Sequence, residues 1–210
     1  MKKICFIIFY FIIAQGTLAQ VIDKIIDSRD GKVYRAIKIG SQVWMGENLN
    51  YAADSSSWCY DNLPESCMKY GRLYTWEIAN KVCPDGWHLP SDEEWKTMEK
   101  FLGMAENELD LSNYRGRMSN IGGKLKSKSN WESPNLGAID DDGFNALPGG
   151  CYGTSEKAFF HKGKVGMFYT STSYGSDFAY YRDLDFSDSS VFRGHRNKRL
   201  AYSVRCIKNE

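Results

Sequence analysis

The cysteines constrain this chain more than any other feature. Six occur in 210 residues, and the first, Cys5, lies in an apolar leader. Lys2 and Lys3 precede an apolar run from Ile4 to Ala14, and Thr17-Leu18-Ala19 closes the segment with a small-x-small pattern. A basic start, a short apolar stretch and such an ending describe an export signal over residues 1–19, with cleavage expected after Ala19. The run is shorter than the roughly 20 residues a membrane helix needs. No later stretch is more apolar, so no membrane span is expected once the signal is removed. No cysteine sits just past Ala19, which argues against a lipid anchor there. The protein is therefore expected in a periplasm, at a cell surface or outside the cell.

The other five cysteines, Cys59, Cys67, Cys83, Cys151 and Cys206, are then expected in an oxidising compartment, where pairing is the default. Cys59 and Cys67 flank the turn-rich Tyr60–Ser66, and joining them would stabilise by about 2–3 kcal/mol on the chain-entropy model. A Cys83–Cys206 link would close a far longer loop and contribute about 4–5 kcal/mol on the same model. An odd count leaves one thiol over. Cys151, after Gly149-Gly150, is the candidate. With no CxxC, no HxxxH and three histidines, a zinc site is not expected.

Composition narrows the class further. Lys and Arg number 27 against 26 Asp and Glu, so the surplus of positive charge that phosphate binding needs is missing and no nucleic acid partner is expected. At 42% hydrophobic and 25% charged residues, the chain is expected to fold over most of its length. Lys32–Ile39, Gly40-Ser41 and Gln42–Met45 read as a hairpin. Leu73, Trp76, Ile78 and Ala79 fall at helical spacing. Ser91 and Glu94 form a capping box ahead of Trp95, Met98 and Leu102, and Glu106–Ser112 suggests a further short helix. Residues 113–143 read as long loops. Phe144–Leu147, Gly166–Thr172, Ala179–Phe186 and Ala201–Ile207 read as short strands. Helices followed by strands predict an α+β fold with an antiparallel sheet. Without repeat or linker, residues 20–210 are expected to form one domain.

Five phrases in order carry a family resemblance: Gln42–Tyr51 (QVWMGENLNY), Cys67–Trp76 (CMKYGRLYTW), Cys83–Trp95 (CPDGWHLPSDEEW), Gly143–Gly150 (GFNALPGG) and Ser203–Cys206 (SVRC). Together they resemble the Fibrobacter succinogenes major paralogous domain, a family of exported bacterial proteins related to the C-type-lectin-like fold and to the sulfatase-modifying, formylglycine-generating enzymes. The resemblance implies a mixed fold with a twisted antiparallel sheet, one or two main helices, long loops and adjacent chain ends, which suits a Cys83–Cys206 link. It makes Trp87, Leu89 and Trp95 core residues and His88 a hydrogen-bonded packing residue.

The same resemblance raises two chemistries. The formylglycine-generating enzymes use a thiol pair whose second member lies in an Arg-Cys sequence, as Arg205-Cys206 does. The partner expected five residues earlier is Ala201, so the pair is incomplete and no catalytic residue is assigned. Calcium-dependent lectins use Glu-Pro-Asn, which Ser133-Pro134-Asn135 lacks in its first residue, so calcium-dependent sugar recognition is not expected. Asp140, Asp141 and Asp142 remain candidates for structural calcium; no other cofactor is expected. Tyr169, Tyr174, Tyr180 and Tyr181, on or beside the late strands, are the candidate ligand contacts, through which a glycan or a cell-surface protein would bind. Alternation along a strand sends about half of such rings inward. Arg193, His195, Arg196, Lys198 and Arg199 form a basic cluster expected in a solvated loop.

Overall fold

The structure, a computed structural model, describes residues 20–53 and 56–210; the expected export signal lies outside them. Along the chain run β1 (Gln20–Ile26), β2 (Val33–Ile39), β3 (Gln42–Met45), β4 (Ser57–Trp58), α1 (Pro64–Tyr70), β5 (Leu73–Thr75), α2 (Trp76–Ala79), β6 (Trp87–His88) and α3 (Asp92–Phe101). After a 3-10 turn at Glu106–Glu108 come β7 (Asn113–Arg115), α4 (Ile121–Leu125), β8 (Cys151–Gly153), β9 (Ala158–Phe160), β10 (Val165–Tyr174), β11 (Phe178–Asp185), β12 (Val191–Asn197), β13 (Ala201–Ser203) and β14 (Ile207–Lys208).

The expected α+β content is present, but the strands form two sheets. One has the order β1-β2-β3-β14-β6; the other runs β4-β5-β13-β10-β11-β12-β7, with the β8–β9 pair attached through β13. Ladder pairs are antiparallel except β10 with β13. The stretch expected as one strand from Ala201 to Ile207 divides: β13 joins the large sheet, and β14 pairs with β3 and β6 in the small one. The C-terminal strand thus lies against the β2–β3 hairpin, whose turn carries Gly40 at φ 63°, a backbone region that favours glycine.

The capping box forms as expected. Ser91 Oγ accepts from the Glu94 N–H at 3.2 Å, and a Glu94 carboxylate oxygen accepts from the Ser91 N–H at 2.7 Å. This sets the phase of α3, so that Trp95 and Met98 face the core and are fully buried. Trp95 sits against Trp44, Phe144 and Phe168, with ring centroids 5.4 to 5.9 Å apart, and ties the small sheet to the large one.

Asp92 and Glu99 of α3 are also buried, which charged groups tolerate only when paired. Both oxygens of Glu99 accept from Arg115 of β7 at 3.0 Å, and one accepts from Arg182 of β11 at 2.6 Å. Asp92 accepts from Arg182 and from Arg193 of β12, each at 2.7 Å. Burial pushes the Asp92 carboxyl up, but Arg193 and Arg182 outweigh it and hold the group at about 2. Three arginines from three strands therefore clamp one helix.

Several local expectations are corrected. Leu73–Thr75 is strand, and only Trp76–Ala79 turns helical, because Leu73 and Tyr74 pair with β13. The region 113–143 contains β7 and α4 within its loops. Phe144–Leu147 is not a strand: Asn145 has φ 52°, and Ala146 makes only a single bridge, to Lys126. The basic cluster lies partly in β12 rather than in a loop, and Arg193 is drawn into the core by Asp92.

Candidate functional site

The four tyrosines singled out as ligand contacts separate onto the two faces of the large sheet. β11 alternates, so Tyr181 points with Ala179 toward Tyr169 and Tyr202, while Tyr180 points the other way with Phe178. Tyr169 is 1% exposed and Tyr181 2% exposed. The Tyr169 hydroxyl donates to the carbonyls of Asn197 and Leu200 at 2.8 and 3.0 Å, and burial pushes the Tyr181 phenol up to about 12. Neither ring is open to a ligand.

Tyr174 and Phe178 behave differently, at 47% and 42% exposed. They are register partners at the end of the β10–β11 hairpin, and Tyr180 is the register partner of His195 in β12. The shared face brings the four rings together. Tyr174 stacks on His195 with centroids 4.0 Å apart and planes 9° apart. Tyr180 meets Tyr174 edge-on at 5.5 Å, and Phe178 meets His195 edge-on at 5.8 Å. The Arg193 guanidinium lies 4.5 Å over the Tyr180 ring, so the ion-pair clamp also buttresses this cluster from beneath.

Chemically the cluster joins aromatic ring surface to the Tyr174 and Tyr180 hydroxyls and the His195 imidazole. One face of Tyr174 is covered by His195 and one face of Tyr180 by Arg193, which leaves ring edges and the Phe178 side chain to be buried by something else. Phe178 is the member that sequence reasoning missed. Period two from Tyr180 places it on the same face, and Gly175-Ser176-Asp177 marks a turn, but the register that pairs it with Tyr174 is not given by the sequence. His195 was visible only as one of several basic residues.

The other candidates lie elsewhere. Asp140 and Asp142 each accept a backbone N–H, from Asn145 and Phe144, both at 2.8 Å. Asp141 is exposed, so the three carboxyls of this turn face different surroundings. Among the described residues no group of three or more His, Cys, Asp or Glu side chains is placed to hold a metal ion. Cys59 is bonded to Cys67 and Cys83 to Cys206, across sequence separations of 8 and 123 residues. Cys151 is a free, buried thiol, and burial pushes it up to about 11, far from thiolate reactivity. His88 has both ring nitrogens bonded, to Asn209 Oδ1 and Glu94 Oε1, each at 2.7 Å.

Asp142 makes a prediction of its own. It is buried, its Oδ2 has no hydrogen-bond partner, and burial pushes its carboxyl up to about 7. A carboxyl raised in the folded state contributes stability below its unfolded value near 3.8, and that contribution is lost as pH rises through about 7. Over that window the loss approaches about 1.4 kcal/mol for each pH unit. Asp142→Asn is therefore expected to unfold at higher urea than the parent at pH 8 and at similar urea at pH 4. Equal midpoints at pH 8 would refute this.

Among the described residues no helix is long and apolar enough to cross a membrane. Neither the curated proteins nor the solved structures yield a significant match. The family model of the Fibrobacter succinogenes major domain matches residues 37–208, which takes in β3, both disulfides, α3, the β10–β12 strands and the final Arg205-Cys206. The chain belongs to the Fibrobacter succinogenes major domain family.

Proposed function

We propose that this is an exported, non-enzymatic interaction module that docks a protein partner at a cell surface through the Tyr174–Phe178–Tyr180–His195 cluster. The observation that carries the reading is the exposure of Tyr174 and Phe178 within a pre-packed set of rings. Clustered aromatics on a rigid sheet are the usual anchors of protein interfaces. Covered ring faces suit burial of ring edges by another protein better than stacking on a single sugar. The leader at residues 1–19 supports export, and the two disulfides are compatible with an oxidising destination.

A C-type-lectin-like arrangement is part of the proposal. It is supported by the return of β14 to pair with β3, which joins distant parts of the chain, and by the Cys83–Cys206 link beside that junction. The alternative, a divergent formylglycine-generating enzyme, has less support. Cys206 is held in a disulfide, and the position five residues earlier is Ala201, buried in β13.

The test is capture of cell-surface proteins by immobilised protein, beginning at Gln20, against a Tyr174→Ala, Phe178→Ala double variant. The double variant is expected to stay folded, at a cost of about 1–3 kcal/mol in unfolding free energy for the ring contacts it removes, and to lose capture at least tenfold. Undiminished capture by the double variant would overturn the assignment of the surface. Chelator is expected to leave capture unchanged.

A further inference from the structure

The face of the large sheet that turns away from α3 carries a carboxyl without a partner. Arg182 and Leu184 are fully buried, and Arg182 reaches Asp92 and Glu99 of α3. Asp183, between them in β11, therefore points to the opposite face. It is partly exposed, yet its Oδ1 is buried and no hydrogen-bond donor meets it. A carboxylate in that state is costly unless a proton or a cation neutralises it.

The neighbours of Asp183 on that face are apolar or aromatic. Register sets Met167 of β10 on one side of it and Phe192 of β12 on the other, with Tyr114 of β7 beyond Phe192. Tyr181 lies two residues back along β11 and shares the face. The Phe192 ring stands between Tyr181 and Tyr114, with centroids 5.6 and 5.2 Å away. Met167 and Phe192 are partly exposed and Tyr114 is 47% exposed, so the row opens to solvent.

Charge on this face favours a cation. Asp185, two residues on, adds a second carboxyl to the same side of β11. Burial and then Asp185 push the Asp183 carboxyl up to about 7. Arg196 of β12 acts the other way without offsetting them, and its guanidinium is engaged with the Tyr181 hydroxyl.

We propose that Asp183 binds the ammonium group of an aliphatic primary amine, whose methylene chain lies across Phe192 toward Tyr114. An ammonium supplies the charge and the N–H donors that the carboxylate lacks, and aromatic rings attract both a cation and its alkyl chain. Asp183 and Tyr114 are two strands apart, about 10 Å at the usual strand spacing, most of which a chain of four or five methylenes spans. Lysine side chains and free diamines share that chemistry. The inference is independent of the docking surface, because Phe178 and Tyr180 lie on the other face of β11.

The experiment follows the protein beginning at Gln20 by two-dimensional NMR at pH 8 while an amine is added. One arm uses 1,5-diaminopentane, a second uses lysine blocked as its N-acetyl methylamide, and a third uses magnesium chloride at equal ionic strength. Saturable shifts at Asp183, Phe192 and Tyr114 are expected with the amines. Binding is expected to weaken at least tenfold in Asp183→Asn, at least tenfold at pH 5, where the carboxyl is protonated, and severalfold in Tyr114→Ala. Phe178→Ala is expected to leave it unchanged. Tighter binding of the blocked lysine would support a protein side chain as the source, and tighter binding of the diamine a free amine. No saturable shift, the same shifts from magnesium, or undiminished affinity in a folded Asp183→Asn variant would overturn the inference.

Discussion

Glu99→Ala is expected to lower the unfolding free energy by about 3–5 kcal/mol, the usual cost of removing one partner from a buried ion pair. The residue is fully buried at the centre of the clamp, where it accepts from Arg115 and Arg182, both also buried. Without it two guanidinium groups lose their carboxylate in a water-excluded layer between α3 and the large sheet. Arg182 would keep Asp92, but Arg115 would be left with the Leu109 carbonyl and the Met104 sulfur. The change would be read as a urea midpoint shifted down at an unchanged slope. A cost below about 1 kcal/mol, the range of exposed pairs, would show that the clamp does not hold the helix. A decline in stability as acid protonates Asp92, completed as pH falls through about 2, is the matching signature in the parent protein.

The second large effect concerns the Cys83–Cys206 bond. It spans 123 residues, so its loss releases a long loop in the unfolded chain, and the Cys83→Ser, Cys206→Ser double variant is expected to lose about 4–5 kcal/mol on the chain-entropy model. Removing Cys59–Cys67, which spans 8 residues, is expected to cost only about 2–3 kcal/mol. Denaturant unfolding of the two double serine variants side by side checks the order. Equal losses, or a larger loss from the short loop, would contradict it.

How much of this was legible beforehand depends on the range over which each feature is determined. The β2–β3 hairpin and the α3 cap were readable because a turn glycine and a Ser-x-x-Glu box act within a few residues. The division of the last segment was not readable, because it is set by partners 119 to 163 positions away in the chain, Trp44 and His88 for Ile207 and Thr75 for Ala201. Leu73 and Tyr74 were misread for a related reason: helical spacing is a local signal, and pairing with β13 overrides it.

The candidate site shows the same limit. Period two along β11 was enough to say that Tyr180 and Tyr181 face opposite ways, but not which of them faces the core. That choice follows from distant partners: Tyr181 packs on Tyr202 in the core, whereas Tyr180 lies beneath Arg193 and beside the exposed Tyr174. Likewise the basic cluster looked solvated because the carboxylate that neutralises Arg193 is Asp92, 101 residues earlier.

The most direct test of the docking surface is site-specific photo-crosslinking. A photoreactive phenylalanine analogue at position 178 is expected to give a discrete adduct with one cell-surface protein, while the same group at exposed Val33, on the other sheet, gives none. No adduct from position 178, or the same adduct from both positions, would contradict the assignment of the Tyr174–Phe178–Tyr180–His195 cluster as the contact surface.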